Sequence, residues 1–400
     1  MRLRESRRLH GPSLLLPESG VELDVDAERG PALQLAEAWR DLVENLLARL
    51  GWSRERIVER AQTHGVRLAL AAPVDALATA QEAGEWAFGA AQAQLAGGAA
   101  ADVAVAAERL RALAAREARP ALQALRQAAS ARKVAFYCDA TSVTVGQGTG
   151  ARSFSLEGLP DPDALDWQGI HDIPVALVAG SRLRAATVAT LARILAASGR
   201  VFGVGGHERM VVAGTPLRVG GEGPHGAAVL RDPRVELAVL EAEPMHVARL
   251  GTGLRHVHAA VVTDADLDPG GTFGMDEVRE RVEIVFTVQR ALAEPGRLVL
   301  NAEDELVLEH GRHLPKPLLW FGADPQNPQV LRHGRAGGDV ATVARDMLVV
   351  VRRRHAYGVV PLPDIVTLAD GTPLAAVLGA AGAAAAMDLP MQAIAAGLST

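Results

Sequence analysis

The residues best placed to do chemistry follow the apolar run Ile173–Ala179, in the stretch Gly180-Ser181-Arg182-Leu183-Arg184. An apolar run with β-branched residues reads as a buried parallel strand, and Ala185 to Ser198 carries apolar residues at helical spacing. In a strand, tight turn and helix of this kind, backbone N–H groups and the helix N-terminus face an anion. A phosphate-binding loop reads G-x-x-x-x-G-K-[ST], with the lysine on the outer phosphates and the hydroxyl on magnesium. Here Leu183 takes the place of the second glycine, Arg184 that of the lysine and Ala185 that of the hydroxyl. The scaffold is kept and its chemistry is changed. Arg182 and Arg184 at the helix start either bind an anion or form a solvated turn.

Other candidates are scattered. Glu241, at the end of the predicted strand Leu237–Glu241, either holds a magnesium ion or has no remaining task. It is one carboxylate where magnesium takes one or two together with phosphates and waters. Glu303 and Asp304 read as a general acid and base, or as a turn that starts a helix after a strand. His256 and His258 are two apart on a predicted strand, which puts both on one face. With Glu241 or His246 they would make a metal site, and otherwise they are polar residues on a solvated strand end. No Ser-His-Asp, CxxC or HExxH arrangement is present.

Composition narrows the class. At 400 residues, with 49% hydrophobic and 22% charged side chains, the chain is long enough for two or three domains with their own cores. Its formal net charge of -6 leaves no basic footprint for nucleic acid. Arg2, Arg4, Arg7 and Arg8 are followed by no long apolar run, so no secretory signal is expected. The longest apolar stretch, Leu374–Met387, is Ala-rich and short of a membrane span, which makes it a packed helix, in the core or at an interface. Cys138 is the only cysteine, so no intrachain disulfide forms, and its place on an apolar run makes it a buried thiol rather than a nucleophile. These features point to the cytoplasm and to no membrane partner.

These candidates need elements to position them. Residues Leu3 to Val25 read as an opening strand pair, Pro31–Leu50 as a helix and Val66–Ala72 as a strand. Pro73–Ala93 and Ala99–Ser130 read as two further helices with a break at Gly97-Gly98, and Lys133–Asp139 and Ser142–Val145 as strands. This region, residues 1–165, is an expected α+β domain. Residues 166–400 alternate strand and helix. After the opening unit come a strand at Val201–Val204, a hairpin at Met210–Val219, a glycine-rich turn at Gly220–Gly226 and a short helix. Strands at Leu237–Glu241 and Ala259–Thr263, a helix at Met275–Ala293, strands at Arg297–Asn301 and Leu318–Phe321, and a closing helix at Leu374–Met387 follow. The expected fold is α/β, a doubly wound, mostly parallel sheet preceded by the smaller α+β domain. Ligands of such sheets lie outside the carboxyl ends of the strands, here Gly180–Arg184, Glu241–Glu243, Thr263–Pro269 and Asn301–Asp304.

The order of these segments resembles the Mur ligase family, and most of all the Mur-ligase half of cyanophycin-synthetase-like proteins. Where that family reads GTNGKTTT or GSNGKTT, this chain reads GSRLRAAT (Gly180–Thr187). The segment DYSGPxGARxVLxDPR is matched by GEGPHGAAVLRDPR (Gly221–Arg234), and VLETARGGxLRxGL by VLEAEPMHVARLGT (Val239–Thr252). VVTNIxxDHxG is matched by VVTDADLDPGG (Val261–Gly271), and LNADDPLV by LNAEDELV (Leu300–Val307). The opening RRLHGPSLLL (Arg7–Leu16) resembles the family start RxLxGPNLL.

The resemblance implies ATP and Mg2+ as cofactors and an ADP-forming amide ligation through an acyl phosphate. It maps nucleotide contacts onto Gly180, Ser181, Arg184, Asn301 and Asp304, and a metal contact onto Glu241. Asp268 is also retained. The departures fall on functional positions. Arg184 replaces the lysine, Ala185 the magnesium-binding hydroxyl, and Pro269 the histidine of DHxG. The TARGG run is replaced by Ala242-Glu243-Pro244-Met245-His246, and the nucleotide-contacting His-Asn pair falls on Ala375-Ala376. His207, His225 and His246 lie in loops that replace family motifs. The family's C-terminal domain is expected to be absent, as is an ATP-grasp half. The expectation is a catalytically degenerate pseudoenzyme, a homo- or hetero-oligomeric structural or regulatory subunit that pairs with an active Mur-ligase-like paralogue. The alternatives are one half of a two-subunit acid–amino acid ligase, and a module that senses a nucleotide or anion.

Overall fold

The computed structural model describes residues 1–52, 55–206, 210–217, 225–266, 278–315 and 317–399. Its largest element is an eleven-stranded sheet. Seven adjacent strands run parallel: Phe202–Gly205, Leu237–Ala242, Val175–Ala179, Val257–Val262, Leu292–Asn301, Leu318–Gly322 and Asp339–Ala344. Antiparallel hairpins flank them, Met210–Val212 with Thr215–Pro216 on one side and Met347–Arg352 with His355–Pro361 on the other. The strand Val175–Ala179 is wholly buried, and strand alternation sends its side chains to both faces. Val175, Leu177 and Ala179 join a core with Leu240, Val262, Leu300 and Trp320. Ala176 and Val178 join another with Leu191, Ile194, Leu319 and Phe321. Helices cover both faces, so the doubly wound α/β expectation holds.

The helix after the loop, Arg184–Ala197, is held down by the last two helices, Leu374–Ala386 and Met391–Ser399. Small side chains make this close packing possible. Gly379 faces the Phe321 ring and Thr187, Gly382 faces Leu319 and Val299, and Gly397 lies on the backbone of Ile194. The stretch read as a packed helix at Leu374–Met387 is therefore core: Ala376 through Met387 are all buried.

Before the large sheet come two smaller ones. An antiparallel four-stranded sheet is built in the order Arg2–Leu9, Gly20–Asp26, Gly65–Ala71, Ile57–Gln62. Helices Arg29–Leu50 and Leu77–Leu95 pack on it around the fully buried Trp39. A three-stranded sheet follows, from Phe136–Cys138, Ser142–Val145 and Arg152–Ser155. A buried ion network fastens the first sheet to the helix Val278–Phe286. Arg7 pairs with Glu22 and Asp24, and Arg67 pairs with Asp24 at 2.9 Å and with Glu280 at 3.7 Å. Each of these five side chains is less than a tenth exposed, so each charge depends on its partners for compensation.

Several expectations need correction. The single helix expected over Ala99–Ser130 is two, Val103–Glu117 and Pro120–Ala131, because Pro120 lacks the N–H a continuing helix needs and instead starts the second. The opening strands are Arg2–Leu9 and Gly20–Asp26, and Leu14–Leu16 between them are buried without forming a strand. The helix expected over Met275–Ala293 turns 3-10 at Thr287 and gives way to strand at Leu292. The sequence pattern predicts no elements between Phe321 and Leu374 or after Met387, whereas the strands Asp339–Ala344, Met347–Arg352 and His355–Pro361 and the final helix Met391–Ser399 form there. The turn residues 220–224, together with His207, Asp268, Pro269 and Met275, lie outside the described residues.

Candidate functional site

Sheet order assembles the site. The loop-bearing strand Val175–Ala179 lies between Leu237–Ala242 and Val257–Val262. Glu241 thus approaches the loop from one neighbouring strand, and Asp264, two residues past the end of the other, approaches it from the opposite side. Gly180 makes the turn at φ +138°, where a Cβ would lie 2.0 Å from the Thr263 hydroxyl and 3.0 Å from Asp264 Oδ2. Only glycine fits this backbone and this approach.

Arg184 reaches across to Glu241. Its Nε donates to Glu241 Oε1 at 2.7 Å, and its Nη1 donates to the Gly180 carbonyl at 2.5 Å. Both side chains are mostly buried, 17% and 27% exposed. The cation that stands in place of the lysine is therefore spent on the carboxylate to which the metal was assigned.

Asp264 fills the loop itself. Its Oδ1 accepts from the Ser181 N–H at 2.8 Å, the Ser181 hydroxyl at 2.8 Å and the Arg182 N–H at 3.1 Å. Its Oδ2 accepts from the Leu183 N–H at 3.1 Å and the Thr263 hydroxyl at 2.8 Å. The residue is buried. Burial by itself pushes its carboxyl up, but the loop N–H groups and the two hydroxyls outweigh this and hold it below the usual carboxylate range. Outside the loop, Arg182 lies 3.6 Å from Asp266, with both side chains exposed.

Asn301 and Asp304 sit one strand further on and build turns. Asn301 donates to the Thr263 carbonyl at 2.9 Å and accepts from the Glu303 N–H at 2.9 Å. Asp304 caps the helix Glu305–Gly311 by accepting from the Val307 N–H at 2.9 Å. Glu303 accepts from the Asp324 N–H at 2.7 Å. Glu303 and Asp304 thus take the turn role of the two read from the sequence. Glu243 is a helix cap as well, accepting from the Met245 and His246 N–H groups.

His256 and His258 do not share a strand face. His256 has φ +66° and precedes the strand, with its Nδ1 3.1 Å from Asp172. His258 lies within the strand, and burial lowers its pKa. Among the described residues no group of three or more His, Cys, Asp or Glu side chains could hold a metal ion. The cleft beside Glu241, lined by Leu177, Leu240, Leu254, Glu243 and His246, measures about 30 Å³, room for about one water.

ATP and magnesium fit these residues poorly. Ala185 offers no ligand, Glu241 is paired with Arg184, and three loop N–H groups are taken by Asp264. Asp264 is the residue that sequence reasoning did not single out, although the range Thr263–Pro269 included it. The signal was the aspartate in VVTD where the family segment reads VVTN.

A loop and helix at the centre of a mostly parallel sheet, with smaller sheets ahead of it, define an α/β chain. The chain is 29% identical over 171 residues to the cyanophycin synthetase of Synechocystis sp., a match covering 42% of this chain and 20% of that relative. It is 27% identical over 233 residues to the cyanophycin synthetase of Trichormus variabilis, covering 57% of this chain and 26% of that one. The chain thus spans about a fifth to a quarter of the length of the curated relatives it matches. No protein-family model matches it. Among solved structures, E. coli FolC in complex with DHPP and ADP aligns over 57% of this chain and 56% of its own, at 19% identity and a TM-score of 0.38. No helix among the described residues is long and apolar enough to cross a membrane.

Proposed function

We propose that this chain is a catalytically degenerate Mur-ligase-like protein, a structural or regulatory subunit that pairs with an active ligase of the same fold. The observation that carries the reading is the Arg184–Glu241 pair. A nucleotide-dependent ligase needs a cation free to meet phosphate and a carboxylate free to meet a metal ion, and here each neutralises the other. The missing hydroxyl at Ala185 acts in the same direction. The sheet around the loop is meanwhile fully packed, which is what a scaffold role requires. Similarity to cyanophycin synthetases supports a ligase of that kind as the partner.

The test is turnover. The purified chain, given ATP, magnesium and amino acids, should release no ADP above a no-enzyme control. Co-expressed with a cyanophycin-synthetase-like ligase, it should co-elute with that ligase and change its rate. ATP-dependent amide formation by the chain alone would overturn the reading.

A further inference from the structure

We infer that Asp264 is the loop's own anion: its carboxylate occupies the place where a loop of this type takes up a phosphate, and it closes the loop to phosphates from outside. The inference rests on reading the loop as inherited from a nucleotide-using ligase, and it deepens that reading by naming what blocks the site.

Three N–H groups, of Ser181, Arg182 and Leu183, converge on the two Asp264 oxygens, joined by the Ser181 and Thr263 hydroxyls, which are shared with the Asp266 and Ala179 carbonyls. A carboxylate has about four lone-pair sites, so this one is saturated. The loop in turn has given the N–H groups of Ser181, Arg182 and Leu183 to a group on its own chain.

Gly180 brings the loop so close that any Cβ would collide with Thr263, and Asp264 is shut away from solvent. An incoming phosphate would have to displace a buried carboxylate or lie against it, and like charges at that range repel strongly where little water screens them.

Of the loop's two arginines, Arg184 is engaged with Glu241 and the Gly180 carbonyl, and the exposed Arg182 lies 3.6 Å from Asp266. Asp264, Glu241 and Asp266 are thus the anions of this loop, and all three belong to the chain.

The test is titration calorimetry of the full chain with pyrophosphate and with ADP, with and without magnesium, in the wild type, Asp264→Ala and Asp264→Asn. Circular dichroism and thermal melting check that each variant folds. The wild type is expected to give no heat at millimolar ligand. Asp264→Ala is expected to bind pyrophosphate at least about tenfold more tightly, because three N–H donors are freed for the anion. If Asp264→Ala is too unstable, pyrophosphate or formate should raise its melting temperature and leave that of the wild type unchanged. Asp264→Asn, which keeps the volume and removes the charge, provides a second folded variant and should also gain affinity. A folded Asp264→Ala or Asp264→Asn that binds no better than the wild type overturns the inference, as does a destabilised variant that no anion rescues. Micromolar binding by the wild type also overturns it. The pseudoenzyme reading falls only with turnover, so the two failures are distinguishable.

Discussion

Arg184 Nε lies 2.7 Å from Glu241 Oε1, joining the first residue of the loop's helix to the end of the neighbouring strand. The sequence resemblance places the arginine at a lysine position directed at phosphate and the glutamate at a position directed at a metal ion. Their contact turns two ligand-directed groups into one internal ion pair.

A double-mutant cycle measures that pair. Arg184→Ala and Glu241→Ala should each destabilise the chain by roughly 1 kcal/mol, with a coupling energy of about 0.5–1 kcal/mol, because both groups retain some solvent contact. Urea melts of the four chains give the numbers. Additive effects would show that the contact carries no energy in solution.

Acid should act through Asp264. Its carboxyl is held below the usual range, so its folded pKa is lower than its unfolded one. Its contribution is therefore fully present above the unfolded value, about 4, and is lost as pH falls through the folded value. Melting temperatures of wild type and Asp264→Asn should differ most near neutrality and begin to converge as pH falls below about 4. A gap that stays constant down to pH 3 would contradict the assignment.

Arg67 is the sensitive point of the N-terminal sheet. It is 2% exposed and pairs with Asp24 and Glu280. Removing it takes a cation from the buried Glu280 and leaves the buried Asp24 to Arg7, so Arg67→Ala should cost about 3–5 kcal/mol in chemical denaturation. Arg4→Ala is the control, since its pair with Asp26 is nearly half exposed on both sides and should cost under about 1 kcal/mol.

Cys138 should be a poor nucleophile. Burial, then the neighbouring Asp139, push its thiol up to about 11. Alkylation by iodoacetamide at pH 8 should be far slower in the folded chain than in urea, because the thiolate is the reacting form. Equal rates in the two states would show an exposed, ordinary thiol.

The sequence by itself determined the local units. An apolar β-branched run, a glycine turn and a helical apolar spacing specify Val175–Ala179 and Arg184–Ala197, because these patterns depend on neighbours in the chain. The same reasoning located Leu374–Ala386 and showed that Ala185 could bring no metal ligand. The hairpin Met347–Pro361 and the helix Met391–Ser399 were harder to see. One is an antiparallel extension at a sheet edge, and the other is a short helix whose burial depends on Arg184–Ala197 beneath it.

Only the tertiary structure decided what the site does with its charges. Arg184 and Glu241 are 57 positions apart, and Ser181 and Asp264 are 83 apart. The strand order that places one partner on each side of the loop is a property of the whole sheet. Composition and spacing identify which ionisable groups the chain carries. Which of them cancel is set by distances of about 3 Å that exist only after the sheet has assembled.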